Sequence, residues 1–320
     1  ITRLQPWQAE RHLGLRLPLN GSSTIEYNYR VQEAKTMGDK IYNSSFDHSD
    51  AYLEYVTRWI PTIRYPLLVT TFSDKQCDEI QKPLIFRLLP KLGLNRHFPR
   101  VVLYSPIDRG GCGIYDIKVE QLSMQMTNCN GHMRRNDDAG KLITSNLRMM
   151  QVIVGTSTFF MNLDPDRYDY TLVNTKLHFY WKKWSSMELK VSLPGMWTPT
   201  IRGINDCVLM DEAYKHAPSH HPMEYLKSIN RARIYLKALT LSDLCHYDGN
   251  TINRNMVLGD APAARVKTTL IFPEFPPPNQ KDWHIWKTFI FRNFLNGDLS
   301  LSRGRIALSK HSHKLQCPPT

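Results

Sequence analysis

The stretch Ser73-Asp-Lys-Gln-Cys-Asp-Glu-Ile-Gln-Lys-Pro-Leu-Ile-Phe-Arg-Leu-Leu-Pro-Lys-Leu-Gly93 decides the fold class. Ser73 and Gln76 stand at the Ser-x-x-Gln spacing of a capping box, in which two side chains satisfy amides that the first helical turn leaves free. Cys77, Ile80, Leu84 and Leu88 then return to one face at steps of three and four, the period of a helix with one buried stripe. Gly93 supplies the left-handed residue on which helices commonly end. The expectation is one amphipathic helix, bent at Pro83, where the ring removes an amide donor.

Outward from this stretch the same period recurs. Tyr27, Val31, Ala34, Met37 and Ile41 predict a first helix that leaves Arg30, Glu33 and Lys40 on other faces. Ala51, Tyr52, Tyr55, Val56, Trp59 and Ile60 predict a second, capped by Asp47 or Ser49 and ended or kinked by Pro61. Before them, Leu13-Gly14-Leu15, Leu17 and the turn-forming Asn20-Gly21 fit a small β-hairpin. Beyond the glycines at 110 to 113, helical patterns return near 116–130, 140–154 and 168–184, and again through Leu226, Ile229, Leu236 and Leu239. Pro194, Gly195, Pro199 and Gly203 punctuate a loop, Asp248-Gly249 a turn, and Pro273 to Pro278 an extended connector before a last helix at Trp283, Trp286 and Ile290. The expected fold is mainly α: a helical bundle preceded by a small β-hairpin and followed by a further α-rich region. No internal repeat at a fixed period appears, which excludes a solenoid.

Lysine and arginine exceed aspartate and glutamate by 41 − 29 = 12, so the preferred partner is a polyanion. No run of about eighteen apolar residues and no signal-peptide pattern occurs, so an intracellular chain with no membrane partner is expected, with nucleus and cytoplasm left open. The cysteines at 77, 112, 129, 207, 245 and 317 lack Cys-x-x-Cys spacing and read as reduced thiols rather than as a disulfide scaffold or a zinc site. The chain opens at Ile1 directly onto patterned sequence, which suggests a natural start further upstream.

Several residues imitate chemistry without its context. Asn136-Asp137-Asp138 holds the only Asp-Asp, but it follows Arg134-Arg135 and reads as a solvated turn before a helix near Lys141. His311, His313 and Cys317 offer three zinc ligands where a structural site takes four. His220-His221 reads as an exposed loop between prolines. Gly110-Gly111-Cys112-Gly113 lacks the lysine and hydroxyl of a phosphate loop and reads as a tight turn that permits close backbone packing. Trp181, Trp184, Trp283 and Trp286 stand at helical spacing, which favours burial over base stacking. No catalytic residue, no metal site and no cofactor of the chain's own is expected.

One ordered series adds a resemblance: Trp59-Ile60-Pro61, Tyr65-Pro66-Leu67, Thr70-Thr71-Phe72, Pro90-Lys91-Leu92-Gly93, Phe98-Pro99-Arg100 and Gly110-Gly111-Cys112-Gly113-Ile114. In this order they resemble the segment after the palm in reverse transcriptases of LINE-like, non-LTR retrotransposons, where a helical thumb follows the catalytic core. Leu13-Gly14 with Asn20-Gly21 looks like that family's hairpin beside the primer end, and Ile229-Asn230-Arg231 through Leu241-Ser242-Asp243 like a downstream helical region. The chain departs from the pattern at Cys112, where an aliphatic residue is expected, and at Leu68, where a second proline is common.

The resemblance implies a palm-edge hairpin over 1–25, a thumb-like helical domain over 26–115, a helical connector over 116–200, and a C-terminal helical region with its Pro-rich connector and basic tail over 201–320. It implies a non-catalytic arm that grips a primer-template duplex, such as an RNA-DNA hybrid, beside an upstream polymerase palm. The metal-holding carboxylates, and any Mg2+, would belong to that palm. Phosphate contacts are expected from Arg30, Lys35, Lys40, Arg58, Arg64, Lys91, Arg96 and Arg100, and a contact at the primer end from Leu13 and Gly14. Lys227, Arg231, Arg233 and Lys237, then Arg303, Arg305, Lys310 and Lys314, could extend the path, although the first four do not share one helical face. The competing expectation is a structural or protein-interaction helical domain that binds no nucleic acid.

Overall fold

A computed structural model describes residues 5–12, 14–168, 175–193, 196–220, 222–259, 268 and 270–308. The protein is mainly helical, and it divides into two compact units, Ile1–Gly131 and His132–Thr320. Among the described residues no helix is long and apolar enough to cross a membrane.

The first unit begins with a two-stranded antiparallel hairpin, β1 (Arg11–His12) and β2 (Leu15–Arg16), in which Arg11 lies opposite Arg16 and His12 opposite Leu15. The chain therefore reverses between His12 and Leu15, not at Asn20-Gly21, which forms a separate turn with Gly21 N–H bonded to the Pro18 carbonyl. Helix α1 (Thr24–Asn43) follows, and then α2 (His48–Glu54), capped by Asp47, whose carboxylate accepts from the Asp50 amide at 2.9 Å.

Pro61 does not end this second helical segment. The proline has no N–H to give the Thr57 carbonyl, and its ring crowds that carbonyl. The backbone widens into a π-helical turn over Tyr55–Trp59, closed by the Ile60 amide on the Tyr55 carbonyl, and continues as α3 (Ile60–Val69). Helix α4 (Asp74–Lys91) starts with the expected capping box: Ser73 N–H donates to Gln76 Oε1 at 2.9 Å, and Gln76 N–H to Ser73 Oγ at 3.3 Å. It runs through Pro83 and stops two residues before Gly93, whose φ of +73° suits a residue without a Cβ.

Helices α1 and α4 pack side by side. Ala34, Ile41, Trp59, Ile63, Leu67, Ile80, Leu84 and Leu88 meet in one core, so each apolar stripe read from the sequence is the buried face of its helix. Short α5 (Arg100–Tyr104) leads to the glycine cluster. A Cβ on Gly111 would lie 2.0 Å from the Ser105 carbonyl oxygen, so the cluster is a close backbone crossing that only glycine permits. Helix α6 (Ile117–Arg135) begins in this unit and ends in the next.

The second unit contains α7 (Asp138–Val154), α8 (Pro165–Tyr168), α9 (Lys176–Ser186), α10 (Leu209–Lys215), α11 (Pro222–Leu236), α12 (Arg254–Leu258) and α13 (Gln280–Phe294), with a small antiparallel pair of β3 (Gly203–Ile204) and β4 (Ala307–Leu308). Helices α11 and α13 form its centre, where Ile229, Leu236, Trp286, Phe289 and Phe294 are buried together. Trp181, Trp184 and Trp286 are buried and Trp283 half-buried against the core; Trp181 and Trp286 spend their indole N–H on the Leu163 and Met256 carbonyls at 2.8 and 3.0 Å. These rings are packing residues, as their spacing indicated.

Asp137 caps α7, accepting from Gly140 N–H at 2.8 Å, and lies 2.8 Å from His132 Nδ1. The His132 hydrogen bond, with the Gly140 amide, lowers its carboxyl pKa to about 2. The Asp-Asp pair is thus a helix start. At the other end of α7, the fully buried Arg233 guanidinium donates to the Val152 and Ile153 carbonyls at 2.8 and 2.7 Å, satisfying acceptors that a helix C-terminus leaves open.

Candidate nucleic-acid interface

The eight cations expected at phosphates fall into three classes. Arg30 is the clearest departure. Its side chain is 5% exposed, and the guanidinium donates to Glu26 Oε1 at 2.6 Å, Glu33 Oε2 at 2.6 Å, the Gly14 carbonyl at 2.9 Å and the Thr62 carbonyl at 3.4 Å. Pro66 makes the last of these available, because it has no amide to give the carbonyl four residues before it. Arg30 fixes the hairpin to α1 and is not open to a phosphate.

Lys91 and Arg64 are also committed to the fold. Lys91 Nζ donates to the Ser44 carbonyl at 2.6 Å, just beyond the C-terminus of α1, where a cation is favoured by the helix dipole. Arg64 Nε donates to Glu120 at 2.8 Å, and its guanidinium lies 4.9 Å from the centre of the Tyr115 ring. Of the primer-end pair, Gly14 offers its carbonyl to Arg30, and Leu13 lies outside the described residues.

Lys35, Lys40, Arg58, Arg96 and Arg100 are exposed. All but Arg58 lack a carboxylate partner among the described residues, and Arg58, 72% exposed, makes only the i,i+4 pair with Glu54 at 2.9 Å. Such a pair contributes about 0.3–0.5 kcal/mol, too little to hold the side chain against a phosphate. Arg96 and Arg100 lie together, Arg100 donating to the Arg96 carbonyl at 3.3 Å while Arg96 stacks on Phe86.

Two of these cations meet in a groove of about 620 Å³ between α1 and the π-helical turn. One wall is the face of α1 that carries Gln32, Glu33, Thr36 and Lys40; the other carries Thr57, Arg58, Pro61 and Thr62. Two stretches unrelated in sequence therefore present two cations, hydroxyls and an amide to one cleft. Lys40 and Arg58 can neutralise phosphate oxygens, and the hydroxyls and amide can donate to phosphate or sugar. π-Turns are frequent at functional sites because the extra residue turns side chains off the regular helical face. Here Thr57 and Arg58 lie in the π-turn itself, and Pro61 and Thr62 continue the wall into α3.

Sequence reasoning named Lys40 and Arg58 but not the polar residues between them. The α1 wall had a readable signal, since Gln32, Glu33, Thr36 and Lys40 recur at helical spacing opposite the apolar stripe. The other wall had none, because Pro61 read as the end of a helix or a kink in it, and neither reading places Thr57, Arg58 and Thr62 on one wall.

In the second unit the basic quartet is dispersed, as its lack of a common face indicated. Arg233 is buried, Arg231 pairs with Asp282 at 2.6 Å, and Lys227 is exposed. Arg303 pairs with Glu212 at 2.5 Å, and Arg305 donates to the Asp248 carbonyl at 2.9 Å. His221, Lys310, His311, His313, Lys314 and Cys317 lie outside the described residues, among which no group of three or more metal-ligating side chains occurs. The chain matches no protein-family model, no curated protein and no solved structure.

Proposed function

We propose that this chain is the non-catalytic, nucleic-acid-gripping part of a reverse transcriptase of the non-LTR retrotransposon kind, holding a primer-template duplex through its phosphates. The observation that carries the reading is the groove lined by Lys40, without a carboxylate partner among the described residues, and by the weakly paired Arg58, together with hydroxyl-bearing side chains. Lys35, Arg96 and Arg100 add exposed charge in the same unit. Cations that meet phosphates release condensed counterions, so the grip is salt-sensitive, and it is indifferent to base sequence because every nucleotide carries the same phosphate. This reading assigns phosphoryl transfer, with its metal ions, to a palm domain and gives this chain only the grip.

The test is fluorescence-anisotropy titration of an RNA-DNA hybrid with the full chain across a salt series. Wild type is compared with a Lys40→Glu/Arg58→Glu/Arg96→Glu variant, with Arg64→Gln as the control for a cation already used in the fold. Binding that falls linearly in log-log form is the expected result, with a slope that is shallower by roughly 0.9 for each duplex phosphate the variant no longer neutralises. Absence of binding at low salt, or binding unchanged by the triple variant, would overturn the reading. A protein-docking scaffold would then be favoured, to which the exposed Val101 and Ile107 would belong.

A further inference from the structure

The groove contains one group that a phosphate grip alone does not need. Glu33 lies on the α1 wall, where Arg30 donates to Oε2 at 2.6 Å and the Tyr29 hydroxyl, itself part of the groove lining, donates to Oε1 at 3.2 Å. Those bonds use two of the roughly four lone-pair sites of a carboxylate, so both oxygens keep acceptor capacity. An ionised carboxylate accepts and does not donate, which makes it useless to a phosphate oxygen.

Its position says which part of a strand it meets. Lys40 follows on the same face seven residues later, about 10 Å along the helix axis, and Arg58 stands on the opposite wall. A strand whose phosphates meet these two cations has its sugar-phosphate backbone, and not its base edges, against α1. Phosphate and ring oxygens only accept hydrogen bonds. The donor that a nucleic-acid backbone can offer along its length is the ribose 2′-hydroxyl, which DNA lacks.

We infer that Glu33 is a specificity-determining residue that accepts a hydrogen bond from a 2′-hydroxyl, so that the groove takes a ribose strand in preference to a deoxyribose strand. This rests on the phosphate-gripping reading above and adds to it the identity of the strand. Buried Arg30, shared between Glu33 and Glu26, offsets part of the carboxylate's charge, and Lys40 and Arg58 on the same groove supply the rest of the positive surroundings. Among the described residues the same arginine bonds the carbonyl of Thr62, on the facing wall, so acceptor and groove are held in register by one side chain.

The experiment uses the full chain and three labelled duplexes of one sequence: all-DNA, an RNA-DNA hybrid, and the same hybrid with a 2′-O-methylated RNA strand. The methylated strand keeps an A-like shape, loses the donor and gains a methyl group, and the Glu33 variants separate loss of the hydrogen bond from the added bulk. Wild type is expected to bind the hybrid about tenfold more tightly than its methylated form, the worth of one hydrogen bond to a charged group. Glu33→Ala should bind both alike, and Glu33→Gln, which keeps a carbonyl acceptor, should retain part of the preference. If Glu33→Ala does not fold, the wild-type comparison of the two hybrids still decides. Equal wild-type affinity for both hybrids, or an undiminished preference in Glu33→Ala, overturns this inference and leaves the grip standing. No salt-dependent binding to any duplex overturns both.

Discussion

Replacing Arg30 by alanine should be among the most damaging single changes in the first unit, although the residue looks in sequence like a surface cation. Its partner Glu26 is fully buried, and without Arg30 it keeps, among the described residues, only the Arg16 amide at 2.8 Å and the Arg16 guanidinium at 3.9 Å. A carboxylate left so poorly compensated away from water costs about 3–5 kcal/mol. The Gly14 and Thr62 carbonyls would be deprived of a donor as well. Hydrogen exchange read by mass spectrometry measures this within one unit: amides of α1 should lose roughly a hundredfold or more in protection, while α13, in the other unit, serves as the internal reference. In a Glu26→Gln background the same replacement should cost only about 1–2 kcal/mol, because the group left behind is neutral. A loss within about 0.5 kcal/mol in the wild-type background, the usual effect of an exposed substitution, would refute the burial argument.

Gly111→Ala should destabilise the first unit by about 1–3 kcal/mol or more, since its Cβ would sit 2.0 Å from a backbone oxygen; a fall in the urea midpoint of that unit is the readout. The folded pKa of Asp137 is depressed from 3.8 to about 2, so its contribution to the α7 N-terminus is full above 3.8 and disappears as the pH falls towards 2. Protection of the first α7 amides should follow that window in wild type and lose the dependence in Asp137→Ala. Burial pushes the Cys77 thiol up to about 12, so iodoacetamide at about pH 8 should label it only as the unit opens; rapid labelling of the native chain would contradict its place in the core.

Much of the helical framework was legible because it rests on local chemistry. The Ser73–Gln76 box, the stripe from Cys77 to Leu88, and the apolar positions of α1 and α13 each reflect a period or a cap that lies within a few residues of chain. Pro61 was legible as a disturbance, but its outcome was not. Whether a missing amide ends a helix or widens it into a π-turn depends on what the flanking residues bury, and here Tyr55, Trp59, Ile60 and Ile63 all enter the core and carry the helix onward.

The sequence by itself determined a mainly helical, cationic protein in which Lys40 and Arg58 are surface charges, since period, capping and composition are properties of neighbouring residues. Only the tertiary structure decided which charges are available. Arg30, Arg64 and Lys91 meet partners 3 to 56 positions away and are used in the fold, whereas Lys40 and Arg58 are brought to the two walls of one groove. The physical reason is that the availability of a charge is set by the partner within about 4 Å and by the water it loses, and that distance is fixed by how the helices pack.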